Sequence, residues 1–328
     1  MGGPGVARRS GVPRAALTCA ALMIPLGACR QPPAPRPPTT VRISTGTPGG
    51  GFYPVGEGLA RAYARTMPDV KVDIHPTAGA VTNLEAIQRG DADLGFAFAD
   101  VAYIAFVGRL EGASRPFDRL RGVAVLQLTP VHLVVGRDPG IHDVKDLRGR
   151  RIGVGPPGSG TALTAGLILH AFGIEPSAVR SEMLPFNEAA RRLVDGTIDA
   201  MFDNAIFPAD SVRMATDAGA RLMPLTGTPI ERLRHEYPFL RATVIPRGTY
   251  PHLAAGVHTI GVDSVLVCRS GLDEGLVYDL TRRFFDALPS LSSSQDALRF
   301  IDLEQAPAMP IPLHEGAARY YRERELLQ

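Results

Sequence analysis

The sequence predicts an α/β protein of two related lobes, each a mixed sheet flanked by helices, joined by a hinge. Strand and helix patterns alternate through most of the 328 residues, which is typical of α/β architecture. A strand, glycine loop and helix occur in that order twice, with GTPGGG at residues 46–51 and GPPGSG at 155–160. A helix–glycine–strand unit also occurs twice at nearly the same offset, as QRGDADLGF at 88–96 and VDGTIDAMF at 194–202. Any two such units share some similarity, but the two coincidences together favour related lobes.

The first lobe is predicted from hydrophobic periods and from residues that start or stop helices. Pro54 is tolerated in the first turn of a helix, and Gly90 supplies a stop for the next one. The predicted strands are 41–44, 70–75 and 94–98, and the predicted helices are 53–65 and 81–88.

The middle of the chain repeats this pattern, with a predicted helix at 187–194 and a predicted strand at 198–202. Two further predicted strands, 131–135 and 264–267, are candidate crossings between the lobes. Two C-terminal helices, at 274–288 and 315–327, are predicted to pack on the first lobe. Residues 41–132 and 250–328 are therefore assigned to lobe 1, and residues 133–249 to lobe 2.

Residues 1–28 are predicted to be a signal peptide that directs export to the periplasm. Three arginines precede an apolar stretch at 15–24 that is too short to span a bilayer. The stretch ends in LGAC at 26–29, which resembles a bacterial lipobox and predicts lipid attachment at Cys29. A plain secretory signal cleaved near Ala28 is the alternative. Residues 29–40 are rich in proline and are interpreted as an extended tether.

The charge balance argues against a nucleic-acid partner. Removing residues 1–28 takes away three arginines and no acidic residue, which lowers the formal charge from +2 to −1. No lysine cluster or basic tail remains. If Cys29 carries lipid, Cys268 has no remaining cysteine to pair with, so no intrachain disulfide is expected.

The two glycine loops predict an anion site. Each loop places backbone N–H groups at the positive end of a helix dipole, where a carboxylate or phosphate is stabilised. Gly50, Gly51, Ser159 and Thr161 are the predicted anion-facing residues. Ser159 and Thr161 have helix capping as an equal alternative.

Further candidate ligand contacts lie at element edges. Tyr53 is predicted to form a pocket wall, with a core position as the alternative. Asp100 is interpreted either as a ligand contact or as the cap of the helix that follows. Asp203 ends a predicted strand, where it suits an ammonium group or a structural role better than a carboxylate. The predicted ligand-binding set also includes residues of both loops and one helix: Thr47, Asn83 and Gly160.

Four segments resemble the TAXI family of substrate-binding proteins, which serve TRAP-type transporters. They are STGTPGGGFYPVG at 44–56, TAGAVTNL at 77–84, ADVAY at 99–103 and IPRGTY at 245–250. The resemblance covers nearly all of residues 41–328 and implies the type II periplasmic-binding-protein fold. It also implies a small carboxylate ligand, such as an acidic amino acid or a dicarboxylate, and a TRAP-type membrane permease as partner.

Two departures from the family pattern concern the predicted ligand-facing edge. The family often has serine where this chain has Ala80, and a polar residue where it has Phe98. Both changes remove polar groups, so a less polar or larger ligand is expected.

The sequence favours a binding protein over an enzyme, and no cofactor or metal is expected. The match of residues 153–158 to a dinucleotide fingerprint is weak, because Pro156 and Pro157 remove amide donors. The eight histidines form no metal-ligand spacing, and no nucleophile elbow occurs. A solute sensor, a binding protein of an ABC importer and an exported enzyme on the same fold remain alternatives.

Overall fold

A computed structural model describes residues 1–3, 5, 39–47, 51–137, 140–292 and 296–327. The elements of the first part of the chain are β1 Thr39–Ser44, α1 Phe52–Thr66, β2 Val70–His75, α2 Ala80–Arg89, β3 Leu94–Phe98, α3 Ala99–Phe106 and β4 Leu120–Val135. The middle part contains β5 Arg151–Gly153, α4 Gly160–Ala171, β6 Arg180–Glu182, α5 Phe186–Val194, β7 Ala200–Asn204, α6 Asp210–Asp217, β8 Arg221–Met223, α7 Thr228–Glu236 and β9 Leu240–Ile245. The last part contains β10 Val257–Arg269, α8 Glu274–Ser292 and α9 Glu315–Arg322.

The strands described here form a sheet in the order β2-β1-β3-β10-β4-β7-β5-β6, with β8 paired to β4 and β9 to β10. In the first half-sheet, β1 runs parallel to β2 and β3, and β10 is antiparallel to β3 and β4. In the second half-sheet, β5 runs parallel to β6 and β7, and the end of β4 is antiparallel to β7 and β8. Each half is therefore a mixed sheet, as predicted.

Strand β4 belongs to both half-sheets. Its residues from Leu120 to Pro130 pair with β10, and those from Val131 to Val135 pair with β7 and β8. The sequence predicted only the second of these stretches, because Pro130 has no N–H for a ladder and reads as a strand boundary. In the structure the Pro130 carbonyl accepts a hydrogen bond from the Ala205 N–H at 3.2 Å, which continues the pairing toward the second half.

The internal repeat that the sequence predicts is also present in the side-chain hydrogen bonds of the two halves. Arg42 in β1 donates its backbone N–H and its guanidinium to Asp93, and Arg151 in β5 does the same to Asp199. The two arginines precede the two glycine loops, and the two aspartates occupy the same place in the two helix–glycine–strand units. The ion pairs therefore fix equivalent strands, β1 against β3 and β5 against β7, in the two halves.

The largest buried side chains lie under the C-terminal helices. Tyr63 of α1 donates to the Leu280 carbonyl of α8 at 3.0 Å, and Tyr321 of α9 donates to the Val123 carbonyl of β4 at 2.8 Å. Both tyrosines have no exposed surface. Helices α8 and α9 thus pack on the first half-sheet, which confirms the prediction.

Most predicted elements are present with shifted ends, and strands β4 and β10 are much longer than the predicted 131–135 and 264–267. Two of the shifted ends have local reasons. The predicted strand 198–202 begins two residues later, because Thr197 and Ile198 still donate to the Arg192 carbonyl at the end of α5. The predicted helix 315–327 ends at Arg322, and the left-handed backbone of Glu325 (φ 59°) turns the chain. Within the described residues, no helix combines the length and the apolar character that crossing a membrane requires.

Candidate functional site

A cavity of about 70 Å³ lies at the carboxyl ends of four strands. Its wall includes Thr47 after β1, Phe98 at the end of β3, Ser159 after β5 and Asn204 at the end of β7. Ligands of open α/β sheets bind at this edge, because loops and helix N-termini meet there. The cavity is therefore the candidate binding site.

The two predicted glycine loops meet at this cavity. Thr47 and Gly51 of the first loop and Ser159, Gly160 and Thr161 at the second all line it. Two of the predicted positions, Gly50 and the lipid-attachment residue Cys29, lie outside the described residues.

Three helix N-termini face the cavity. They belong to α1, α2 and α4, and Phe52, Ala80 and Gly160 are their first residues. In the part of the chain that the structure describes, the backbone N–H groups of Ala80, Gly160 and Thr161 have no hydrogen-bond partner. Free N–H groups at the positive ends of helix dipoles favour a bound anion.

The hydroxyls of Ser159 and Thr161 act in both of the ways that the sequence left open. Ser159 caps α4 by accepting from the Ala162 N–H at 3.3 Å, and Thr161 accepts from the Asn204 N–H at 3.4 Å. Each hydroxyl accepts in these bonds and keeps its hydrogen. Both residues line the cavity, so both hydroxyls have a donor left for a ligand.

The two halves touch directly across the cavity. The Gly158 carbonyl accepts from the N–H groups of Val81 and Thr82 at 3.0 and 3.4 Å. A Cβ added to Gly160 would come within 2.3 Å of the Phe98 ring. The two halves are therefore in contact beside the cavity, and glycine at position 160 permits this close approach.

Asn83 and Tyr53 do not contribute to the cavity wall. The Asn83 side chain is fully buried, where it accepts from Thr77 Oγ1 at 2.6 Å and donates to the Phe96 carbonyl at 2.7 Å. It therefore ties α2 and the loop before it to β3. The Tyr53 hydroxyl hydrogen-bonds to Glu57, one turn along α1, and this bond raises the pKa of the tyrosine.

Asp100 lies behind the cavity wall in a buried contact between the halves. Its Oδ1 accepts from the Val101 N–H, and its Oδ2 is 2.7 Å from Thr164 Oγ1 in α4. Asn204 Nδ2 donates to the same threonine oxygen at 2.9 Å. Burial raises the pKa of Asp100 to about 6, against the opposing effect of the Thr164 hydrogen bond. The sequence offered Asp100 as the cap of a helix that starts at Val101, and this differs from the structure: α3 begins at Ala99, its N-cap position is Phe98, and Asp100 lies within the first turn.

Asp203 is also buried, on the opposite side of β7 from Asn204. Its carboxylate accepts from Ser211 Oγ, and desolvation raises its pKa to about 7. Next to it, His132 is bonded to the Tyr250 hydroxyl at 2.9 Å, and burial lowers the pKa of the imidazole to about 4. Neighbouring residues of a strand face opposite sides, so Asn204 reaches the cavity and Asp203 supports the sheet behind it.

Several wall residues were not among the predicted contacts. Those with large or polar side chains include Phe52, Gln127, Thr129, Phe186, Asn204 and Ser264. Ala80 and Phe98, which the sequence placed at the ligand-facing edge, also line the cavity. Gln127 and Thr129 lie on one face of β4, and the alternation of polar and apolar residues there was the available signal.

The comparisons with known proteins identify the family. A model of the NMT1-like family matches residues 43–324, which is most of the chain. The chain belongs to the NMT1-like family. Solved structures with a similar fold include a protein from Bordetella bronchiseptica RB50, with 17% identity over 88% of this chain and 90% of that one, and a TM-score of 0.54. A structure named as a periplasmic transporter has 15% identity over 88% and 94% of the two chains and a TM-score of 0.53.

A third structure, named as an L-cystine ABC transporter protein of Listeria monocytogenes, has 14% identity over 80% of this chain and 98% of that one. Its TM-score is 0.50. At these identities the likeness concerns the fold alone. The fold is that of type II periplasmic solute-binding proteins, as the sequence predicted.

Proposed function

We propose that this family member is a periplasmic solute-binding protein that holds a small carboxylate between its two halves and delivers it to a membrane permease. The observation that carries the proposal is the convergence of three helix N-termini on a cavity between the two halves. Charge-assisted hydrogen bonds to such donors contribute roughly 1.5–3 kcal/mol each. A few such hydrogen bonds suffice for micromolar affinity, which corresponds to a binding free energy of about 8 kcal/mol.

Hinge closure is the proposed mechanism of capture. Residues 41–132 with 250–328 form one lobe in this proposal, residues 133–249 form the other, and the chain crosses between them on β4 and near the start of β10. A ligand bound to donors of both lobes stabilises the closed form, because in the open form it reaches the hydrogen-bond donors of only one lobe. Gly158 and Gly160 from one side and α2 from the other then meet over the ligand.

The cavity wall favours binding over catalysis. The wall residues that the structure describes are all neutral, and residues 48–50, which it does not describe, are proline and glycine. The buried carboxyls Asp100 and Asp203 lie behind this wall. General acid–base chemistry requires a titratable group within hydrogen-bond reach of the substrate, and this arrangement supplies none from the described wall.

The proposed partners rest on the resemblance to TAXI proteins and on the N-terminal sequence. A TRAP-type permease is the proposed recipient of the solute. Lipid on Cys29 and the tether 29–40 would hold the protein at the membrane surface. Metabolic labelling with a fatty acid tests the anchor, since Cys29→Ser should abolish labelling. Solute uptake that requires both this protein and a sodium gradient tests the permease.

A thermal-shift series with Gly160→Ala tests the binding function. Small carboxylates should raise the melting temperature of the wild type, and about 100 times the dissociation constant should stabilise it by about 2.7 kcal/mol. Gly160→Ala should lose most of this shift, because the added Cβ meets Phe98 only when the cleft is closed. Gly166→Ala is the matched control in the same helix, since nothing lies within 4 Å of the position of its added Cβ. Equal ligand shifts for the two variants would contradict capture by closure.

A further inference from the structure

The wall of the cavity determines which kind of carboxylate fits between the two halves. Resting on the proposed function, which supplies the carboxylate, we propose that the solute is a short aliphatic monocarboxylate with an uncharged, apolar body. This class excludes dicarboxylates, acidic amino acids and zwitterionic amino acids. Three features of the wall support it: a single place for an anion, no charged side chain among its described residues, and apolar side chains from both halves.

The free N–H groups of α2 and α4 lie at one place on the wall. Ala80 is the first residue of α2, and Gly160 is the first residue of α4. A Cβ added to Gly160 would lie 3.2 Å from the Cβ of Ala80, so the two helix N-termini adjoin each other. Each N-terminus is equivalent to about half a positive charge, and the pair therefore compensates about one carboxylate. The N-terminus of α1 adds a similar fraction, which is less than a second carboxylate requires.

A second charge of either sign on the solute would be buried without a partner. The described wall residues include no arginine, lysine, histidine, aspartate or glutamate, and residues 48–50 are proline and glycine. A second carboxylate would lose its hydration and find no cation, and an ammonium group would find no carboxylate. Asp100 and Asp203 do not serve as that partner, because they lie behind the wall and are bonded to Thr164 and Ser211. An uncharged body avoids both costs.

The polar side chains of the described wall are mostly bonded to other protein groups. The hydroxyls of Thr129 and Ser264 bond to each other at 2.7 Å, and Asn204 donates its Nδ2 to Thr164 at 2.9 Å. The Ser159 and Thr161 hydroxyls lie at the start of α4, beside the free N–H groups that the carboxylate would use. These contacts favour a body without polar groups of its own, since a buried polar group that lacks a partner costs free energy.

Apolar side chains from both halves contribute the larger part of the cavity surface. Phe52 and Phe98 come from the first half, and their ring centroids are 5.1 Å apart. Phe186 and Ile206 come from the second half. The Phe186 ring lies beside the second glycine loop, 3.4 Å from the position of a Cβ added to Gly155. Each methylene of a solute buried among such side chains should raise the affinity about fourfold.

The volume of the cavity limits the body to a short chain. About 70 Å³ has room for roughly five water-sized groups. The carboxylate itself takes part of this space, which leaves room for a few carbons. The residues that depart from the TAXI pattern, Ala80 and Phe98, both line this cavity, and both departures replace a polar side chain by an apolar one.

Titration calorimetry with four-carbon acids tests the proposal. Butanoate, succinate, 2-aminobutanoate and 4-hydroxybutanoate share a chain length, and the last three add a carboxylate, an amine and a hydroxyl to it. We expect the wild type to bind butanoate at least about tenfold more tightly than each of the other three. From acetate to butanoate the affinity should rise about fourfold for each added methylene.

Phe186→Ala tests the contact between the apolar wall and the body of the solute. The side chain is partly exposed at the start of α5, so its removal should leave the fold intact. The variant should bind butanoate about tenfold more weakly and acetate nearly unchanged, because acetate has no chain to reach the ring. Phe300→Ala is the matched control, since Phe300 is 64% exposed and does not line this cavity, and it should change neither affinity. Equal losses for butanoate and acetate in Phe186→Ala would overturn the proposed contact.

The outcomes separate this proposal from the function on which it rests. Tighter binding of succinate or 2-aminobutanoate than of butanoate overturns the monocarboxylate and leaves carboxylate capture standing. Tighter binding of 4-hydroxybutanoate overturns the apolar body. If none of these acids binds, the inference is wrong, and binding of a neutral sugar in their place would overturn the proposed function with it.

Discussion

The buried contact between Asp100 and Thr164 makes the stability of the closed protein depend on pH. In the folded protein the pKa of Asp100 is raised to about 6, whereas an aspartate in an unfolded chain has a pKa near 3.9. The folded state therefore holds its proton more tightly. The associated stabilisation is fully present below about pH 4 and is lost as the pH rises through about 6. A shift of two units corresponds to about 3 kcal/mol.

Asp100→Asn removes this dependence. The asparagine amide can accept from Val101 and donate to Thr164, and so reproduces the neutral carboxyl without a titrating proton. We expect the variant to gain stability relative to the wild type as the pH rises from 4.5 to 7.5, by up to about 2 kcal/mol, because part of the total of about 3 kcal/mol is already lost at pH 4.5. This free-energy difference is an upper bound, because opening of the cleft hydrates the ionised Asp100 carboxylate and so reduces the loss of stability in the wild type.

Urea denaturation at a series of pH values measures the effect. The quantity that matters is the difference in unfolding free energy between the variant and the wild type, because other titrating groups contribute equally to both. Asp195→Asn is the matched control, because it makes the same chemical change at an exposed position. A constant difference for Asp100→Asn over the whole range would contradict a raised pKa of Asp100.

Three further predictions concern groups away from the cavity wall. Burial raises the pKa of Asp203 to about 7, so the wild type loses stability from about pH 4 through about pH 7 as this group ionises. Asp203→Asn should remove this loss. A urea midpoint that falls with pH as steeply in the variant as in the wild type would contradict this. Asp93→Ala should destabilise the protein by about 3 kcal/mol, since it leaves two partly buried arginines without their shared carboxylate, and a change below about 0.5 kcal/mol in chemical denaturation would disprove it. Cys268 should react with a thiol reagent only on unfolding, because burial raises the pKa of its thiol; rapid labelling of the native protein would show that this strand opens locally.

Most helices and strands could be predicted, because the residues that start, stop and pattern each of them lie close together in the sequence. Strands β2 and β3 have the predicted bounds, since each is an apolar or alternating run between helix stops. The repeat of the two halves could be found because Asp93 and Asp199 must occupy the same position to bind Arg42 and Arg151. These pairings depend on residues whose spacing is visible in the sequence.

The site was predictable only in part, because its geometry depends on contacts distant in sequence. The glycine loops identify five wall positions, and these were predicted from the dipoles of the helices that follow. The choice of Asp203 over Asn204 could not be settled in advance, since a shift of one residue in β7 exchanges the cavity face for the buried face. Asn83 has a hydrogen-bonding side chain at the correct helix, but Thr77 and Phe96 satisfy it within its own half.

Mass spectrometry of the small molecule released from natively purified protein is the decisive measurement of carboxylate capture. We expect a small solute that contains a carboxylate, present at close to one molecule per chain and absent from Gly160→Ala prepared in parallel. A neutral sugar or a metal complex, retained equally by the wild type and Gly160→Ala, would contradict the capture of a carboxylate by closure of this cleft.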